Sequence, residues 1–232
     1  MKLKTAATEL MNLVAPVRCS GCHIVDLRLC HPCHTFLFSG ASSRVSTMSI
    51  AGRSIPVYSA GEYSGVRRSC LLDFKNGSRR YLAKHLLGGA GAFTDSLRHP
   101  DSSVLAIVPT PSSLRGQWSR GFSPTGLLAK ALHQELASTV VNRSLVRRGL
   151  AGVLRKPQHT PRPRAQRLAR SDQDFRVREF APRVPIVLVD DVAVTGGTLR
   201  AATVALIAAE RCVLAVVVAA HVPGREFFSL NP

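Results

Sequence analysis

Apolar residues gather into short unbroken runs in this chain, separated by longer polar or mixed stretches. Ile186 to Val189, Val104 to Val108 and Val213 to Ala219 are the clearest runs, and β-branched side chains dominate them. Runs of this length and character read as strands buried on both faces of a parallel sheet. Ile55 to Tyr63 alternates apolar with small residues and predicts a strand that opens the main domain, while Thr139 to Val141 predicts a short one. Helical spacing of Leu82, Leu86, Leu87 and Phe93 predicts a helix over Arg80 to Leu97; Thr125 to Leu136 and Leu199 to Glu210 predict two more. Strands alternating with helices imply an α/β fold, a parallel sheet flanked by helices, whose sites lie at the carboxyl ends of the strands. Two stretches carry no period. Ser39 to Ser54 is rich in Ser, Gly and Arg and reads as a linker or a loose ribbon. Arg147 to Asp174 is basic and proline-bearing, and reads either as a solvated loop or as a flap that folds over a site. The pattern divides the chain into an N-terminal element with its linker, residues 1–50, and one larger domain, residues 51–232.

The segment Pro185 to Thr198 concentrates the chemistry. Its apolar run ends in adjacent carboxylates, Asp190 and Asp191, followed by Val192, Ala193, Val194 and the turn Thr195-Gly196-Gly197-Thr198. A glycine-rich turn feeding a helix start offers free backbone N–H groups and the positive end of the helix dipole, which suits a phosphate. Carboxylates just before it suit ribose hydroxyls or a hydrated Mg2+, which takes one or two carboxylates along with substrate oxygens. A sugar phosphate fits the segment from end to end. A second loop, Val108 to Phe122, follows another strand; prolines bracket a threonine at Pro109-Thr110-Pro111, with Arg115 and Arg120 beyond. Arginines at a neighbouring strand's carboxyl end can hold phosphate oxygens in bidentate fashion.

Composition narrows the class. With 232 residues and 45% hydrophobic content, the chain can bury a sizeable core. No apolar run reaches the length of a membrane span, so no membrane insertion is expected. Glu9 and Asn12 interrupt the N-terminal segment before a signal-peptide core accumulates, which predicts a cytoplasmic protein. The formal net charge of +17 attracts polyanions, and single-stranded or duplex DNA is a partner class it allows; equally, it can reflect solvated arginine faces. Aromatics are only 6%, without the aromatic-basic interleave of a base-stacking platform.

Cys19-Ser-Gly-Cys22 and Cys30-His-Pro-Cys33 form paired CxxC knuckles close to the N-terminus. Each offers two thiolates on a tight turn, and together Cys19, Cys22, Cys30 and Cys33 complete a tetrahedral site for structural Zn2+. The short spacing also allows His23, His31 or His34 to stand in for one thiol. Cys70 and Cys212 read as small buried hydrophobes.

The run around Asp190-Asp191 resembles the phosphoribosyl pyrophosphate (PRPP) motif of the type I phosphoribosyltransferases, with Val194 where the first threonine is usual. The resemblance implies that Asp190 and Asp191 hold the ribose hydroxyls, with or without Mg2+, and that Thr195 to Thr198 wrap the 5′-phosphate. The segment from Val108 to Phe122 is similar to the Pro-Val-Pro…Arg-Gly-Phe-Asn signature of the ComF family, linked to bacterial DNA uptake, and of its relative GntX. Pro109, Pro111, Arg115, Arg120, Gly121 and Phe122 match; Thr110 stands for the valine and Ser123 for the asparagine. Leu72 to Gly77 resembles the family's Lys-x-x-Gly segment and implies that Lys75 lies near the site, although lysine and glycine are one residue closer here. Between Leu154 and Phe175 the family's Thr-x-x-Gln and Arg-x-x-Asn landmarks are shifted: Thr160, Gln166, Arg167 and Arg170 are present, with Gln173 in place of an asparagine.

What the resemblance implies is a type I phosphoribosyltransferase-like domain behind a four-cysteine zinc-ribbon element. Its ligand is PRPP or a ribose phosphate with Mg2+, its reaction phosphoribosyl transfer, and its acceptor is not readable. In that scheme Arg115 or Arg120 neutralises pyrophosphate. The alternative is a non-catalytic accessory of DNA uptake that binds DNA and DNA-uptake proteins on the same scaffold.

Overall fold

The computed structural model describes residues 16–39, 43–76, 79–88, 104–112, 120–136, 138–147, 175–179 and 183–224. Five helices and eight strands lie among them. The helices are α1 (His31–Ser39), α2 (Gly65–Lys75), α3 (Leu82–Leu86), α4 (Pro124–Glu135) and α5 (Gly197–Ala208). The strands are β1 (Ser43–Ile50), β2 (Arg53–Ser59), β3 (Leu105–Pro109), β4 (Thr139–Val141), β5 (Leu145–Arg147), β6 (Phe175–Val177), β7 (Ile186–Ala193) and β8 (Val213–His221).

Six strands form one sheet in the order β1-β2-β8-β7-β3-β4, and β5 pairs with β6 in a separate antiparallel ladder. Every neighbouring pair of the main sheet is parallel except β1 with β2. Side chains alternate across a strand, so β7 feeds two cores at once. Val187 and Val189 join Phe74 of α2, Leu86 of α3 and Leu128 and Leu132 of α4 on one face. Ile186 and Leu188 join Leu199, Ala202 and Leu206 of α5, with Met48 of β1, on the other. This double burial is the physical reason that the strand's sequence shows an apolar run without alternation.

The connections fix where a ligand can lie. From β3 the chain passes through α4 to β4 at one side of the sheet; from β7 it passes through α5 to β8 at the other. Strand order therefore reverses between β3 and β7, with α4 and α5 on opposite faces. In open α/β sheets the crevice beyond the carboxyl ends at such a reversal is the ligand position.

Several elements depart from the sequence pattern. Ser43–Ile50 is not a linker or a loose ribbon; it is an eight-residue strand paired with β2. Met48 and Ile50 are buried at 1% and 7% exposure, and this two-residue alternation was hidden among serines and arginines. β7 continues through both acids to Ala193 because β8 runs beside it to His221, pairing Asp190 with Val218 and Ala193 with His221. α5 begins two residues earlier than Leu199, directly on Gly197. The helix expected over Arg80 to Leu97 is described only for Leu82–Leu86; its remainder lies largely outside the described residues. Cys70 is buried, whereas Cys212 is exposed: it sits in the turn after α5, one residue before β8 begins.

The cysteine element is docked on this domain. Leu37 of α1 belongs to the core shared with α2, α3 and α4. Arg67 of α2, only 2% exposed, donates to the carbonyls of Leu37 (3.0 Å), Leu86 (2.9 Å) and Ala219 (3.4 Å), tying α1, α3 and β8 together. Burial lowers its pKa to about 10, and three main-chain acceptors replace the water it has lost. Arg79 adds hydrogen bonds to the carbonyls of Arg18 and Arg28, and Tyr81 Oη donates to the Arg28 carbonyl at 2.7 Å.

Candidate functional site

At the strand reversal, Asp190 in the carboxyl-terminal half of β7 faces residue 110, which follows β3. Thr110 is 2% exposed, and its Oγ1 donates to Asp190 Oδ1 at 2.7 Å. The same carboxylate oxygen accepts the backbone N–H of Asp191 at 2.9 Å. Residue 110 is itself fixed at both main-chain atoms. Its N–H donates to the Val189 carbonyl at 2.8 Å, and its carbonyl accepts the Thr125 hydroxyl at 2.6 Å. Thr125 lies in the first turn of α4, which is capped by Ser123 Oγ accepting from Gly126 N–H and carries Pro124 at its start.

Asp191 is half-buried and meets Lys75, the last residue of α2, with Nζ 2.9 Å from Oδ2. The expectation that Lys75 lies near the acid pair therefore corresponds to an ion pair. The electrostatics of the two acids differ. Asp190 is 8% exposed; burial, and then the negative charge of Asp191, lift its carboxyl from 3.8 to about 7, against the lowering effect of the Thr110 and Asp191 hydrogen bonds and of Lys75. A buried carboxylate with that history is held poised for a cation or for hydroxyl donors.

Val192 and Ala193 continue the strand, and Val194 and Thr195 stand exposed in the turn that follows. Gly196 has φ 72° and ψ −3°, a left-handed conformation that glycine adopts without the strain of a Cβ. It forms the N-cap of α5, and no side chain caps that helix start. The amides of the first turn, from Gly197 and Thr198 onward, thus face outward at the positive end of the dipole. Acid pair, left-handed turn and uncapped helix start follow one another within eight residues, beside Pro109, Thr110 and Pro111 across the crevice.

Of the two arginines, Arg115 lies outside the described residues. Arg120 is half-buried, with Nε enclosed and without a hydrogen-bond partner among the described residues. It is placed by Gly121, at φ 66°, and by Phe122, which packs on Phe74 at a ring separation of 6.0 Å. Residues of the basic segment from 148 to 174 also lie outside the described residues. Two contributors carried no signal in the sequence. Thr125 reaches the site only because α4 starts under residue 110, and Arg147 of β5 donates from Nε to the Pro111 carbonyl at 3.0 Å, steadying the proline-bracketed turn.

The cysteine cluster is a second locus. The Sγ atoms of Cys19, Cys22, Cys30 and Cys33 all lie within 4.8 Å of one another, and Cys30 Sγ is 3.6 Å from both Cys19 and Cys22. Tetrahedral thiolates at a zinc–sulfur length of about 2.3 Å stand about 3.8 Å apart, so the donor set fits a metal such as zinc. Among the described residues the group consists of four thiols; His34 stacks instead on Phe38, with ring centroids 4.6 Å apart. Burial raises the Cys19 thiol, but backbone N–H groups at Cys22, Cys30 and Gly21 outweigh it and bring the thiol down to about 6. Burial, with the neighbouring sulfurs, pushes Cys33 well up. No helix among the described residues is long and apolar enough to cross a membrane. No protein-family model matches the chain, and no curated protein matches it significantly.

Proposed function

We propose that the chain is a ComF/GntX-like protein of the phosphoribosyltransferase type, which binds PRPP or a ribose phosphate with Mg2+ and transfers the phosphoribosyl group to an acceptor. The observation that carries this reading is the convergence, at one strand reversal, of the Asp190-Asp191 pair, Lys75 and an uncapped helix start behind a left-handed glycine. Each half of a ribose phosphate has its complement there: carboxylates for hydroxyls, main-chain amides for the phosphate.

Such a transfer needs no side-chain nucleophile. The bond from ribose C1 to pyrophosphate breaks through an oxocarbenium-like state, and the acceptor forms its bond to C1. Positioning and electrostatic stabilisation supply the catalysis. Asp191 and Asp190 orient the ribose hydroxyls and stabilise developing positive charge on the ring. Amides of Gly197 and Thr198, with the Thr195 and Thr198 hydroxyls, hold the 5′-phosphate. Lys75 and Arg120 face the departing pyrophosphate, with Arg115 as a further candidate. Asp190 and Asp191 would hold Mg2+ brought with PRPP, and the ion would supply neutralisation of charge on the leaving group. The four cysteines hold zinc in a structural role, since four thiolates leave no open position for chemistry. In this reading the protein works in the cytoplasm, and its likeness to the ComF family links it to DNA uptake.

The +17 charge favours a second reading, in which the scaffold grips single-stranded or duplex DNA without chemistry, alone or with DNA-uptake proteins. Calorimetry with PRPP and Mg2+, and with both forms of DNA at two salt concentrations, separates the two. Saturable PRPP binding abolished by Asp191→Asn supports phosphoribosyl chemistry. DNA binding with a steep salt slope, indifferent to that substitution, supports the second reading. Pyrophosphate release across a panel of bases and amines then identifies the acceptor class.

A further inference from the structure

Resting on the ribose phosphate reading, we propose that Thr110 is a positioning residue: its hydroxyl holds Asp190 Oδ1 so that Oδ2 is the oxygen presented to the ligand. Thr110 does not meet the ligand itself. At 2% exposure its side chain is buried against the acid rather than turned into the crevice.

Residue 110 is anchored at three atoms. Its N–H is taken by Val189, its carbonyl by the Thr125 hydroxyl, and its Oγ1 by Asp190. Two of these bonds fix the main chain between β3 and α4, which leaves the hydroxyl with a fixed origin from which to aim. On the receiving side, Oδ1 accepts both Thr110 Oγ1 at 2.7 Å and the Asp191 N–H at 2.9 Å. A carboxylate oxygen has room for two donors in its plane, so Oδ1 is filled. Among the described residues no donor reaches Oδ2. The carboxylate torsion is broad when left to itself, and two donors on one oxygen remove that freedom before a ligand arrives. Preorganisation of this kind spares the ligand the ordering of the acid.

The residue type matters more than its volume. Valine has the same shape as threonine but no donor, and the ComF-type signature that this segment resembles carries valine here. In this chain the hydroxyl is an added tether on the acid, supplied from the neighbouring strand.

The test uses the full chain, its Thr110→Val, Thr110→Ser and Asp190→Asn variants, and the Thr110→Val/Asp190→Asn double variant, titrated with PRPP and Mg2+. Loss of one hydrogen bond to a charged acceptor predicts about tenfold weaker binding for Thr110→Val, and near wild-type binding for Thr110→Ser. Since Thr110 acts through Asp190, adding Thr110→Val to Asp190→Asn costs nothing further. Wild-type affinity in Thr110→Val, or an undiminished loss in the double variant, overturns the proposal. A crystal structure of ligand-free Thr110→Val supplies a readout that does not need ligand: the Asp190 carboxylate rotates away from its wild-type plane. If the wild-type chain binds no PRPP, the ribose phosphate reading fails, and this carboxylate decides Thr110 separately. An unmoved carboxylate overturns the positioning role. Should Thr110→Val not fold, Thr110→Ala provides the donor-free variant for both measurements.

Discussion

Replacing Asp190 by asparagine is expected to stabilise the ligand-free protein at neutral and alkaline pH while weakening its ligand site. Asparagine keeps the shape and the Oδ1 acceptor that Thr110 and the Asp191 N–H use. It removes the charge that burial and Asp191 oppose. Lifting a carboxyl from 3.8 to about 7 corresponds to about 4 kcal/mol in favour of the neutral form in the folded state. The folded pKa is the raised one, so the group's contribution to stability is fully present below 3.8 and is lost as pH rises toward 7. Wild-type and variant should therefore be of similar stability near pH 4. Their difference should widen through the interval to pH 7 and then level off, with the variant ahead by about 2 to 4 kcal/mol at pH 8. Denaturant melts of both proteins at five pH values, with constant ionic strength and without divalent cations, measure this directly. A variant less stable than wild type at every pH, or a difference that does not change with pH, refutes the idea that this acid is held at a cost for function.

Other substitutions probe the remaining parts. Gly196→Ala forces a Cβ into the left-handed conformation at φ 72°; denaturant melts should show a loss of about 1 to 2 kcal/mol, and calorimetry a loss of ribose phosphate affinity. Val194→Thr restores the hydroxyl usual in the PRPP motif at a position 43% exposed, so stability should change by less than about 0.5 kcal/mol while PRPP binding tightens. In the cysteine element, a Cβ on Gly21 would come within 2.6 Å of Cys33 Sγ and 2.9 Å of Val66 Cγ1. Metal analysis should find zinc bound by the wild-type chain, and Gly21→Ala should release it at lower chelator concentration; equal retention would separate the knuckle's backbone from its metal affinity.

How much was legible in the sequence depends on whether one face of an element tells its own story. β7, β3 and β8 were readable because both faces are buried, so every residue of the run is apolar. The turn at Gly196 was readable because a left-handed residue before a helix demands glycine. The helical period of α2 is masked in the sequence, because a core-facing position in it is Arg67, satisfied by carbonyls from three distant segments that no local pattern announces. β1 is masked because serines alternate with the few buried residues of an edge strand. Within the site, Asp190, Asp191 and the glycine turn are contiguous in the chain, and their meeting follows from a single strand–turn–helix unit. Lys75 was placed there by resemblance, and its ion pair with Asp191 depends on how α2 packs against the sheet. The hydrogen bonds of Thr110, Thr125 and Arg147 cross between segments, which sequence spacing does not encode.

The most direct measurement is a crystal structure of the full chain grown with PRPP and Mg2+. The ribose hydroxyls should lie on Asp190 and Asp191 and the 5′-phosphate on the amides that follow Gly196, with Lys75 drawn from Asp191 toward the pyrophosphate. A crevice left without ligand at saturating PRPP, or PRPP bound away from the β3–β7 crevice, would contradict the proposed chemistry.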